Sequence, residues 1–420
     1  MHTDMKRASS DRDTLARILD ISRDLARPMD LEEMLTEVVK AACAVLQAER
    51  CTVWLYDEAA EEFQTKVLIG AAPIRTAADR GLVGACARTR EVINVPDCYA
   101  DPRFDQSIDR QTGYRTRSLM SVPLVGYDDE LIGVMQTLNH INGPFDDTDV
   151  ATATALAAQS AVALQRARMI EGLLVKERLE QELEVARKIQ MGTWPREMPV
   201  AEGYDLHGAS LPAEETGGDT FDIIRLDDQR YVLLLADAAG HGVGPALSVT
   251  QVRSMLRMCA RLGCDLKRAF DGINRQLVED LPPELFVTAF LGMLDATRHE
   301  IEYLSGGQGP LLFYRRAQDE VEYLKPMTLP LGIMETLPGA APARITLASG
   351  DILALLTDGI LEAERSDGEQ FGAERTAELL REHRDRPMSE LAMILHEQAR
   401  AFSDGAPQAD DVTFLLIKRH

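Results

Sequence analysis

The segment YVLLLADAAGHG (231–242) decides how the C-terminal half of this chain folds. Its apolar run predicts a buried strand, and Asp237 with the small residues after it places a carboxylate at the strand end. Three more segments put aspartate beside glycine or another small residue: ETGGDTFD (215–222), TDGILEA (357–363) and QADDVT (408–413). Carboxylate and backbone oxygens are the ligands of hard cations such as Mg²⁺ and Mn²⁺. Four such segments suit a two-metal site that hydrolyses a phosphate ester.

The order of the four acidic segments is more informative than any one of them, because a single Asp-Gly is usually only a turn. Further landmarks are ARKIQMGTWP (186–195), FVTAFLGMLD (286–295), GGQGPLLFY (306–314) and LPLGI (329–333). Together these segments resemble the PPM (type 2C) protein phosphatases, and within them the bacterial SpoIIE/RsbU-type serine/threonine phosphatases. The resemblance covers about residues 185–420 and implies an α/β sandwich.

The resemblance assigns metal ligands to the acidic segments. It implies that Asp237 is the central catalytic carboxylate and bridges two divalent metals, Mn²⁺ or Mg²⁺, with the backbone carbonyl of Ala238 as a further ligand. Asp219 would bind one metal directly or through water, and Asp358 would bind the other. Two such cations neutralise the phosphate oxygens and lower the pKa of a bridging water, so no covalent enzyme intermediate is required.

Several neighbouring residues keep two interpretations. Asp410 is expected as a ligand and Asp411 as the residue that orients it, but the order could be reversed. His241 would donate a proton to the leaving oxygen, or it is a solvent-facing turn residue. Asp222 and Glu362 would either support the ligands or form exposed acidic turns.

The N-terminal half has a different pattern. CTVWLYDEAAEEFQTKVLIG (51–70) predicts two strands around an acidic turn, and SLMSVPLVGYDDELIGVMQTLNH (118–140) predicts a hairpin. With NVPDCYADPRF (94–104) and GPFDDTDV (143–150), these segments resemble a GAF domain over about residues 20–165. The resemblance implies an antiparallel sheet with flanking helices that binds a small molecule or dimerises.

A partial ligand pattern lies at the end of this region. Asn139, Phe145 and Asp149 match part of the pattern of cyclic-nucleotide-binding GAF domains, but His140 and Val150 depart from it. The alternative is that Asn139 caps a strand end and that Phe145 and Asp149 begin the exit helix. The small-molecule ligand of the GAF domain is therefore not identified.

A long helix is predicted from about 150 to 192, because this stretch is rich in Ala, Leu, Glu and Arg and contains no proline. Its apolar stripe shifts phase between 174 and 179, as in a coiled-coil stutter. This favours a dimeric coiled coil, and the alternative is one amphipathic helix lying on either domain. The stripe comprises Leu156, Ser160, Ala163, Ala167, Ile170, Leu174, Leu179, Leu183 and Ala186.

The predicted fold class is α+β in four parts. Residues 1–28 form an N-terminal helix, 29–155 the GAF sensor domain, 156–192 the helical coiled-coil linker and 193–420 the PPM/SpoIIE-type phosphatase domain. In the last part, strand-like runs alternate with blocks of helix, as in an α/β sandwich. The strand-like runs are 231–237, 286–294, 309–315, 351–358 and 412–418, and the helical runs are 244–262, 265–280, 374–384 and 388–402.

Charge and cysteine content exclude several classes of function. The net charge of −23 argues against nonspecific binding to nucleic acid or to an anionic membrane, since both require a basic surface. The six cysteines have no zinc or Fe–S spacing and are expected to be reduced. No signal peptide or transmembrane stretch is recognisable, so a cytoplasmic protein is expected.

These features predict a metal-dependent protein serine/threonine phosphatase that a GAF sensor controls through a dimeric helical linker. The resemblance implies a phosphoserine or phosphothreonine on a small anti-anti-sigma (STAS) protein as substrate, and hence a role in sigma factor regulation. The alternative is a catalytically weak scaffold that senses a cyclic nucleotide and binds a phosphoprotein. A cyclic-nucleotide phosphodiesterase ranks last, because it would need clustered histidines and an His-Asp pair, whereas the eight histidines here are scattered.

Overall fold

The computed structural model describes residues 19–66, 74–213, 216–406 and 408–420. The chain forms two compact units, one ending at Arg178 and the other beginning at Leu179. Residues 19–25 are helical, and the part of the predicted N-terminal helix before residue 19 lies outside the described residues. In the described ranges, no helix combines the length and the apolar composition of a membrane span.

In the described residues, the N-terminal unit is built on one antiparallel sheet of six strands. These are β1 (Ala48–Asp57), β2 (Glu62–Gln64), β3 (Arg75–Ala77), β4 (Ile93–Val95), β5 (Leu119–Val125) and β6 (Leu131–His140), in the order β3-β2-β1-β6-β5-β4. The predicted hairpin is confirmed as β5 and β6, and the two strands predicted around the acidic turn are β1 and β2.

Among the described residues between 31 and 112, three α-helices flank this sheet, and residues 153–167 of a later, longer helix pack in the same core. The three helices are α1 (Leu31–Val45), α2 (Gly81–Thr89) and α3 (Gln106–Thr112), with a short 3-10 turn at Cys98–Ala100. α1 begins where the Asp30 carboxylate accepts a hydrogen bond from the N–H of Glu33, which satisfies a free donor of the first turn. Its apolar face, including Leu35 and Val38, is buried in the core with β1, β5 and β6. The α-and-β architecture of the predicted GAF domain is thus present.

The long predicted helix is α4 (Asp147–Thr193), a single helix of 47 residues. The first part of the predicted stripe does not face solvent, because Leu156, Ser160, Ala163 and Ala167 are buried in the N-terminal unit. For these turns the helix lies on a domain. Leu183 and Ala186 of the predicted stripe are half-buried. Most of the later apolar side chains are exposed, as a linker requires: Met169, Ile170, Leu173, Leu174, Val175, Leu179, Val185, Ile189 and Met191.

In the C-terminal unit, the residues that the structure describes form two antiparallel sheets of five strands each. The first consists of β8 (Asp219–Arg225), β9 (Arg230–Ala238), β10 (Val287–Asp295), β11 (Glu300–Gly306) and β14 (Ala343–Thr346), in the order β14-β11-β10-β9-β8. The second consists of β7 (Tyr204–Leu211), β12 (Leu311–Arg315), β13 (Glu320–Leu324), β15 (Ile352–Leu356) and β16 (Val412–Arg419), in the order β13-β12-β15-β16-β7.

The two sheets pack face to face and helices cover their outer faces. Leu233 and Phe290 of the first sheet share one apolar core with Leu353 and Leu415 of the second. α5 (Val243–Arg261) and α6 (Leu266–Asp280) pack on the first sheet, and α8 (Gly372–Glu382) and α9 (Met388–Phe402) pack on the second. A one-turn helix, α7 (Asp358–Leu361), follows β15. The predicted α/β sandwich is therefore confirmed.

The five predicted strand runs are β9, β10, β12, β15 and β16, but five other strands were not predicted. β13 and β14 are edge strands with mostly half-buried or exposed residues, so they carry little apolar pattern. β8 carries two aspartates, which are depleted in strands, although its first five residues are buried. β7 and β11 alternate with polar residues and were also missed.

Candidate metal site

Two paired strands bring Asp219 and Asp237 together. Asp219 is the first residue of β8 and Asp237 lies near the end of β9, and the antiparallel register places them directly opposite each other. Directly opposed residues point to the same face of a sheet, about 5 Å apart at Cβ. Asp219 is buried and Asp237 is half-buried. Two predicted metal ligands thus share one place in the first sheet.

The second sheet contributes Asp358, Asp410 and Asp411. Asp358 begins α7 directly after β15, and Asp411 directly precedes β16, which pairs with β15. The backbones approach closely here, because a Cβ on Gly359 would lie 2.0 Å from the carbonyl oxygen of Asp411. Only glycine therefore fits after Asp358, which gives the TDG segment a packing reason in addition to turn chemistry.

The five aspartates form one cluster of negative charge. Burial raises the pKa of Asp237 to about 9, with further contributions from Asp219, Asp358, Asp410 and Asp411. Partial burial, followed by the charge of Asp410, raises the pKa of Asp358 to about 6. Carboxylates with raised pKa values are carboxylates whose charge is poorly compensated. A cation at this place would compensate it.

Hydrogen bonds fix the two most buried members of the cluster. The hydroxyl of Thr357 donates to Asp219 Oδ2 at 2.7 Å, and the N–H of Ala213 donates to Asp411 Oδ1 at 2.8 Å. Burial raises the pKa of both carboxyls in spite of these bonds. Within the described ranges, no three His, Cys, Asp or Glu side chains converge on one point as a complete ligand set. Like charges repel, so a cation is what would draw such carboxylates together.

The donor set fits a hard divalent cation. The clustered side chains offer only carboxylate oxygens. Two backbone carbonyls approach closely beside them, because a Cβ on Gly218 would lie 3.0 Å from the carbonyl oxygen of Ala238 and 3.2 Å from that of Gly240. The N–H of Ala238 donates to the carbonyl of Gly218, which holds the two strands in this register. Oxygen donors alone are the coordination chemistry of Mg²⁺ and Mn²⁺.

The remaining predicted residues separate into different environments. His241 is exposed in the bend between β9 and α5, and Glu362 is exposed directly after α7. Asp222, in contrast, is not an exposed turn residue, because it is fully buried in β8. Its carboxylate accepts from Arg257 Nη2 at 2.8 Å and lies 3.0 Å from Arg253 Nε. Asp222 therefore holds α5 on the first sheet.

Gln308 connects the two sheets beside the cluster and was not predicted as a site residue. Its Oε1 accepts from the hydroxyl of Thr288 at 2.9 Å, and its Nε2 donates to the carbonyl of Leu356 at 2.8 Å. Thr288 lies opposite Asp237 in the register of β9 and β10, and Leu356 ends β15 two residues before Asp358. The only sequence signal for this role is the place of Gln308 in the segment GGQGP.

Gln190, in the last turns of α4, is the second residue that sequence reasoning missed. It is buried, its Nε2 donates to the carbonyl of Gly217 at 2.6 Å, and its Oε1 accepts from the N–H of Gly217 at 3.2 Å. A Cβ on Gly217 would lie 2.6 Å from Asp411 Oδ2. These two hydrogen bonds lie within the C-terminal unit, and they fix the segment that leads into Asp219. The signal for it was the landmark ARKIQMGTWP.

In the N-terminal unit, Asn139 is buried and its side chain is used internally. Its Nδ2 donates to Glu49 Oε2 at 3.0 Å and to the hydroxyl of Tyr114 at 2.8 Å, and its Oδ1 accepts from the N–H of Arg117 at 2.6 Å. Hydrogen bonds from Asn139, Arg117 and Tyr114 lower the pKa of Glu49 to about 2. The arrangement ties together the residues around the end of β6.

Phe145 lies just before α4, and Asp149 lies in the first turn of this helix. Phe145 is buried and its carbonyl accepts from Asn94 Nδ2 at 2.9 Å, while Asp149 Oδ2 accepts from the N–H of Asp146 at 2.9 Å.

A separate cavity of about 50 Å³ in the N-terminal unit is lined by residues that include none of Asn139, Phe145 and Asp149. Small-molecule pockets usually measure about 300 Å³ or more, so this cavity holds at most a few waters as it stands. Its lining includes Trp54, Arg80, Phe104, Leu119 and Gln136.

Comparison with known families assigns both halves of the chain. Residues 227–420 match the family Stage II sporulation protein E (SpoIIE), and residues 30–164 match the GAF domain. Among curated proteins, the chain is similar to the phosphoserine phosphatase RsbU of Bacillus subtilis (strain 168), with 22% identity over 245 residues that cover 58% of this chain and 72% of RsbU.

Two further similarities each cover one part of the chain. The chain is 29% identical over 134 residues to the dual 3′,5′-cyclic-AMP and -GMP phosphodiesterase 11A of Takifugu rubripes, which covers 29% of this chain and only 15% of that enzyme. The solved SiaA-PP2C domain of Pseudomonas aeruginosa aligns with a TM-score of 0.50 at 23% identity, over 59% of this chain and 98% of that domain. The second similarity supports the fold of the C-terminal half.

Proposed function

Because this chain joins a GAF domain (30–164) to a SpoIIE-type protein serine/threonine phosphatase domain (227–420), we propose that it removes phosphate from phosphoserine or phosphothreonine in a regulatory protein. The proposed reaction requires two divalent cations, Mn²⁺ or Mg²⁺. The observation that carries this proposal is the cluster of five aspartates from both sheets, in which the pKa of Asp237 is raised to about 9.

The proposed ligands are divided between the sheets. The cations would be held by Asp219 and Asp237 from the first sheet and by Asp358 and Asp410 near the second. The backbone carbonyl of Ala238, the residue after Asp237, would be a further ligand. The N–H of Asp411 donates to Asp410 Oδ1 at 2.7 Å, which supports Asp410 as the ligand and Asp411 as the residue that orients it. When bound, divalent cations offset the charge of the phosphate oxygens and activate water for attack.

His241 is the proposed proton donor to the leaving oxygen. Its exposed position, directly after the segment that carries Asp237 and Ala238, gives a protein substrate access to the imidazole. The neighbouring glycines Gly240 and Gly242 have φ angles of +85° and +94°, so the bend that presents His241 needs glycine on both sides. In this proposal the chain supplies the acid and positions the substrate, and Asp237 remains the central ligand.

The substrate class follows from the similarity to RsbU, whose name describes a phosphoserine phosphatase. We propose a small phosphorylated STAS protein of the anti-anti-sigma class, so that dephosphorylation would regulate a sigma factor. A substrate of this kind brings its own fold to the metal site, and the exposed bend at His241 is compatible with a folded partner.

Control of the phosphatase is proposed to act through α4. The bonds between Gln190 and Gly217 link this helix to the segment before Asp219, so a shift of the last helical turns would move a proposed ligand. We propose that this contact has two positions and that a signal changes their relative populations. A small molecule at the GAF domain is the proposed signal, and a ligand role for Asn139, Phe145 and Asp149 stays a prediction.

A homodimer is proposed through the exposed part of α4. Most apolar side chains from Met169 to Met191 are exposed, and Leu173 and Leu174 are 65% and 61% exposed. A long exposed helix with an apolar stripe gains stability by pairing with a second helix. A coiled coil between two copies of this chain is the proposed partner arrangement.

The proposed function is tested with the full-length protein and a phosphoserine STAS protein. Phosphate release should require Mn²⁺ or Mg²⁺, should stop on chelation, and should be lost in Asp358→Asn. Asp367→Asn is the matched control, because Asp367 lies in a turn. In the part of the chain that the structure describes, its carboxylate accepts from the N–H of Glu369 and lies near Arg365. Metal-loaded protein that binds the phosphoprotein without turnover would favour the scaffold alternative.

The proposed control is tested separately with Gln190→Glu and with a chain that lacks residues 1–150. Gln190→Glu keeps the length of the side chain but replaces the donor to the Gly217 carbonyl by a carboxylate. We expect both changes to alter the rate of phosphate release from the same substrate. Unchanged rates and an unchanged response to ligands in both proteins would contradict control through α4 while leaving the phosphatase activity intact.

A further inference from the structure

The C-terminal end of α5 has the hydrogen bonds of a Schellman motif. Gly263 has a φ angle of +70°, its N–H donates to the carbonyl of Ala260 at 3.2 Å, and the N–H of Cys264 donates to the carbonyl of Cys259 at 3.0 Å. In this motif, the residues that are joined by the longer bond usually bring two apolar side chains into contact. Here both of these positions are cysteines.

The two thiols lie side by side. The Cys264 side chain is hydrogen-bonded to the Cys259 thiol, and both cysteines are free. Cys264 is exposed, whereas Cys259 is half-buried against the core of α5, α6 and the first sheet. A disulfide needs Cα atoms about 4.4–6.8 Å apart and side chains that face each other. The backbone hydrogen bond from Cys264 to Cys259, at 3.0 Å, keeps the two residues close, and the contact between their thiols shows that the side chains face each other.

We propose that Cys259 and Cys264 form a redox-active dithiol, which a hydroperoxide oxidises to a disulfide that closes the last turn of α5. The site is separate from the phosphatase reaction and does not depend on it. Burial, and then the neighbouring Cys264, raises the pKa of the Cys259 thiol, so the exposed Cys264 is the residue that reacts first.

The oxidation balances in two steps. The thiolate of Cys264 attacks one oxygen of the hydroperoxide: an S–O bond forms, the O–O bond breaks, and the leaving oxygen takes a proton and departs as water or alcohol. The thiolate of Cys259 then attacks the sulfenic sulfur of Cys264: the S–S bond forms, the S–O bond breaks, and the second oxygen departs as water. Each thiol gives up one proton, two electrons pass to the peroxide, and a thiol reductant reverses the change.

The position of the pair gives its oxidation a structural consequence. Arg257, two residues before Cys259, bonds to the buried Asp222 and so fixes α5 on β8. A covalent bond across the following turn would prevent this end of the helix from fraying. A second pair, Cys43 and Cys51, provides an internal comparison, because Cys51 is buried and is not open to a peroxide in solution.

Peptide mapping tests the proposal on the full chain. Trypsin cleaves after Arg257, Arg261 and Lys267, so the disulfide would join the peptides 258–261 and 262–267. After mild treatment with hydrogen peroxide and alkylation of free thiols, we expect this linked pair to replace most of the alkylated 262–267 peptide. Dithiothreitol should restore both separate peptides. The peptides that carry Cys43 and Cys51 should remain unlinked at the same dose.

Serine variants separate the two roles. The link should be absent from Cys259→Ser and Cys264→Ser and unchanged in the control Cys43→Ser. In Cys259→Ser, Cys264 should accumulate as a sulfenic acid that dimedone labels, whereas the wild type should label only weakly. A wild type in which Cys264 is dimedone-labelled as strongly as in Cys259→Ser, or in which Cys264 proceeds to sulfinic acid without a link, would overturn the proposal.

Discussion

At the scale of single residues, the clustering of the aspartates could be predicted, but the residues that hold them could not. The role of these aspartates as metal ligands stays a prediction. Asp219, Asp237 and Asp358 each follow or begin a segment with an apolar run and a glycine, and such local signals are visible in one sequence. Gln308 and Gln190 act through hydrogen bonds to chain segments far away in sequence. Such contacts depend on the order of the strands in the sheets and on their register. The local sequence predicts neither the order nor the register.

The charge cluster leads to a prediction for Asp237→Asn. Folding raises the pKa of this carboxyl to about 9, so at neutral pH the metal-free protein must protonate it on folding, which costs free energy. Asparagine does not ionise and avoids this cost, so the substitution should stabilise the metal-free protein. We expect an increase in melting temperature of at least about 2 °C by calorimetry. Turnover should fall by more than the roughly 10–100-fold that is typical when a residue supporting a ligand is lost.

The control for this substitution is Asp271→Asn. Asp271 forms a partly exposed ion pair with Lys267 on α6, so its removal should change neither the turnover nor the melting temperature noticeably. If Asp237→Asn lowered the melting temperature of the metal-free protein, the cluster would be stabilising as it stands, and the interpretation as uncompensated charge would be wrong.

Gln308 leads to a prediction about the joint between the sheets. Gln308→Glu keeps the shape of the side chain but loses the donor to the Leu356 carbonyl, and it leaves that buried acceptor facing a carboxylate. We expect a loss of about 1–3 kcal/mol in the free energy of unfolding of the C-terminal unit, measured in urea. Gln398→Glu, at an exposed position on α9, adds the same charge and should be close to neutral. Equal stability of the two variants would contradict the proposed joint.

At the scale of elements, sequence periodicity predicted that a helix exists better than it predicted which of the helix's turns are buried and which are exposed. The helix over 150–192 was predicted and is present as α4, but its regular stripe did not distinguish turns that pack on their own domain from turns that remain exposed. Ala163 and Ala167 are as suitable for a coiled coil as for a domain core, so the sequence alone leaves the two environments equivalent. β8 was missed for the opposite reason, because buried aspartates interrupt the apolar pattern on which strand prediction depends.

The exposed part of α4 leads to a prediction of dimer formation. Replacing Leu173 and Leu174 together by Glu puts charge where the proposed partner helix would pack. We expect the dissociation constant of the dimer to rise at least about tenfold, equivalent to about 1.4 kcal/mol, in sedimentation experiments. Gln181→Glu, also exposed on α4, adds charge without removing apolar surface and should leave the dimer intact. A wild type that sediments as a monomer at every accessible concentration would refute the coiled coil.

At the scale of the whole molecule, the chain consists of two units with separate cores. Leu35 and Val38 belong to the core of the first, and Leu233 and Leu353 to the shared core of the second. The division into a GAF half and a phosphatase half was predictable, because each half has its own set of landmarks. These sequence segments do not predict the energetic coupling between the units, because the coupling depends on how the intervening helix responds to a change at either end.

Calorimetry of the full chain measures that coupling. Units with separate cores should unfold in separate transitions, and a cation that binds only the folded C-terminal unit should raise only one of them. At a free Mn²⁺ concentration of about one hundred times the dissociation constant, linkage gives about 2.7 kcal/mol of stabilisation. In Asp358→Asn this increase in stability should disappear, while the transition of the N-terminal unit should stay at the same temperature.

If Mn²⁺ instead moved both transitions together, α4 would transmit the occupancy of the metal site to the GAF domain. By reciprocity of binding free energies, a GAF ligand would then have to change the metal affinity by the same factor.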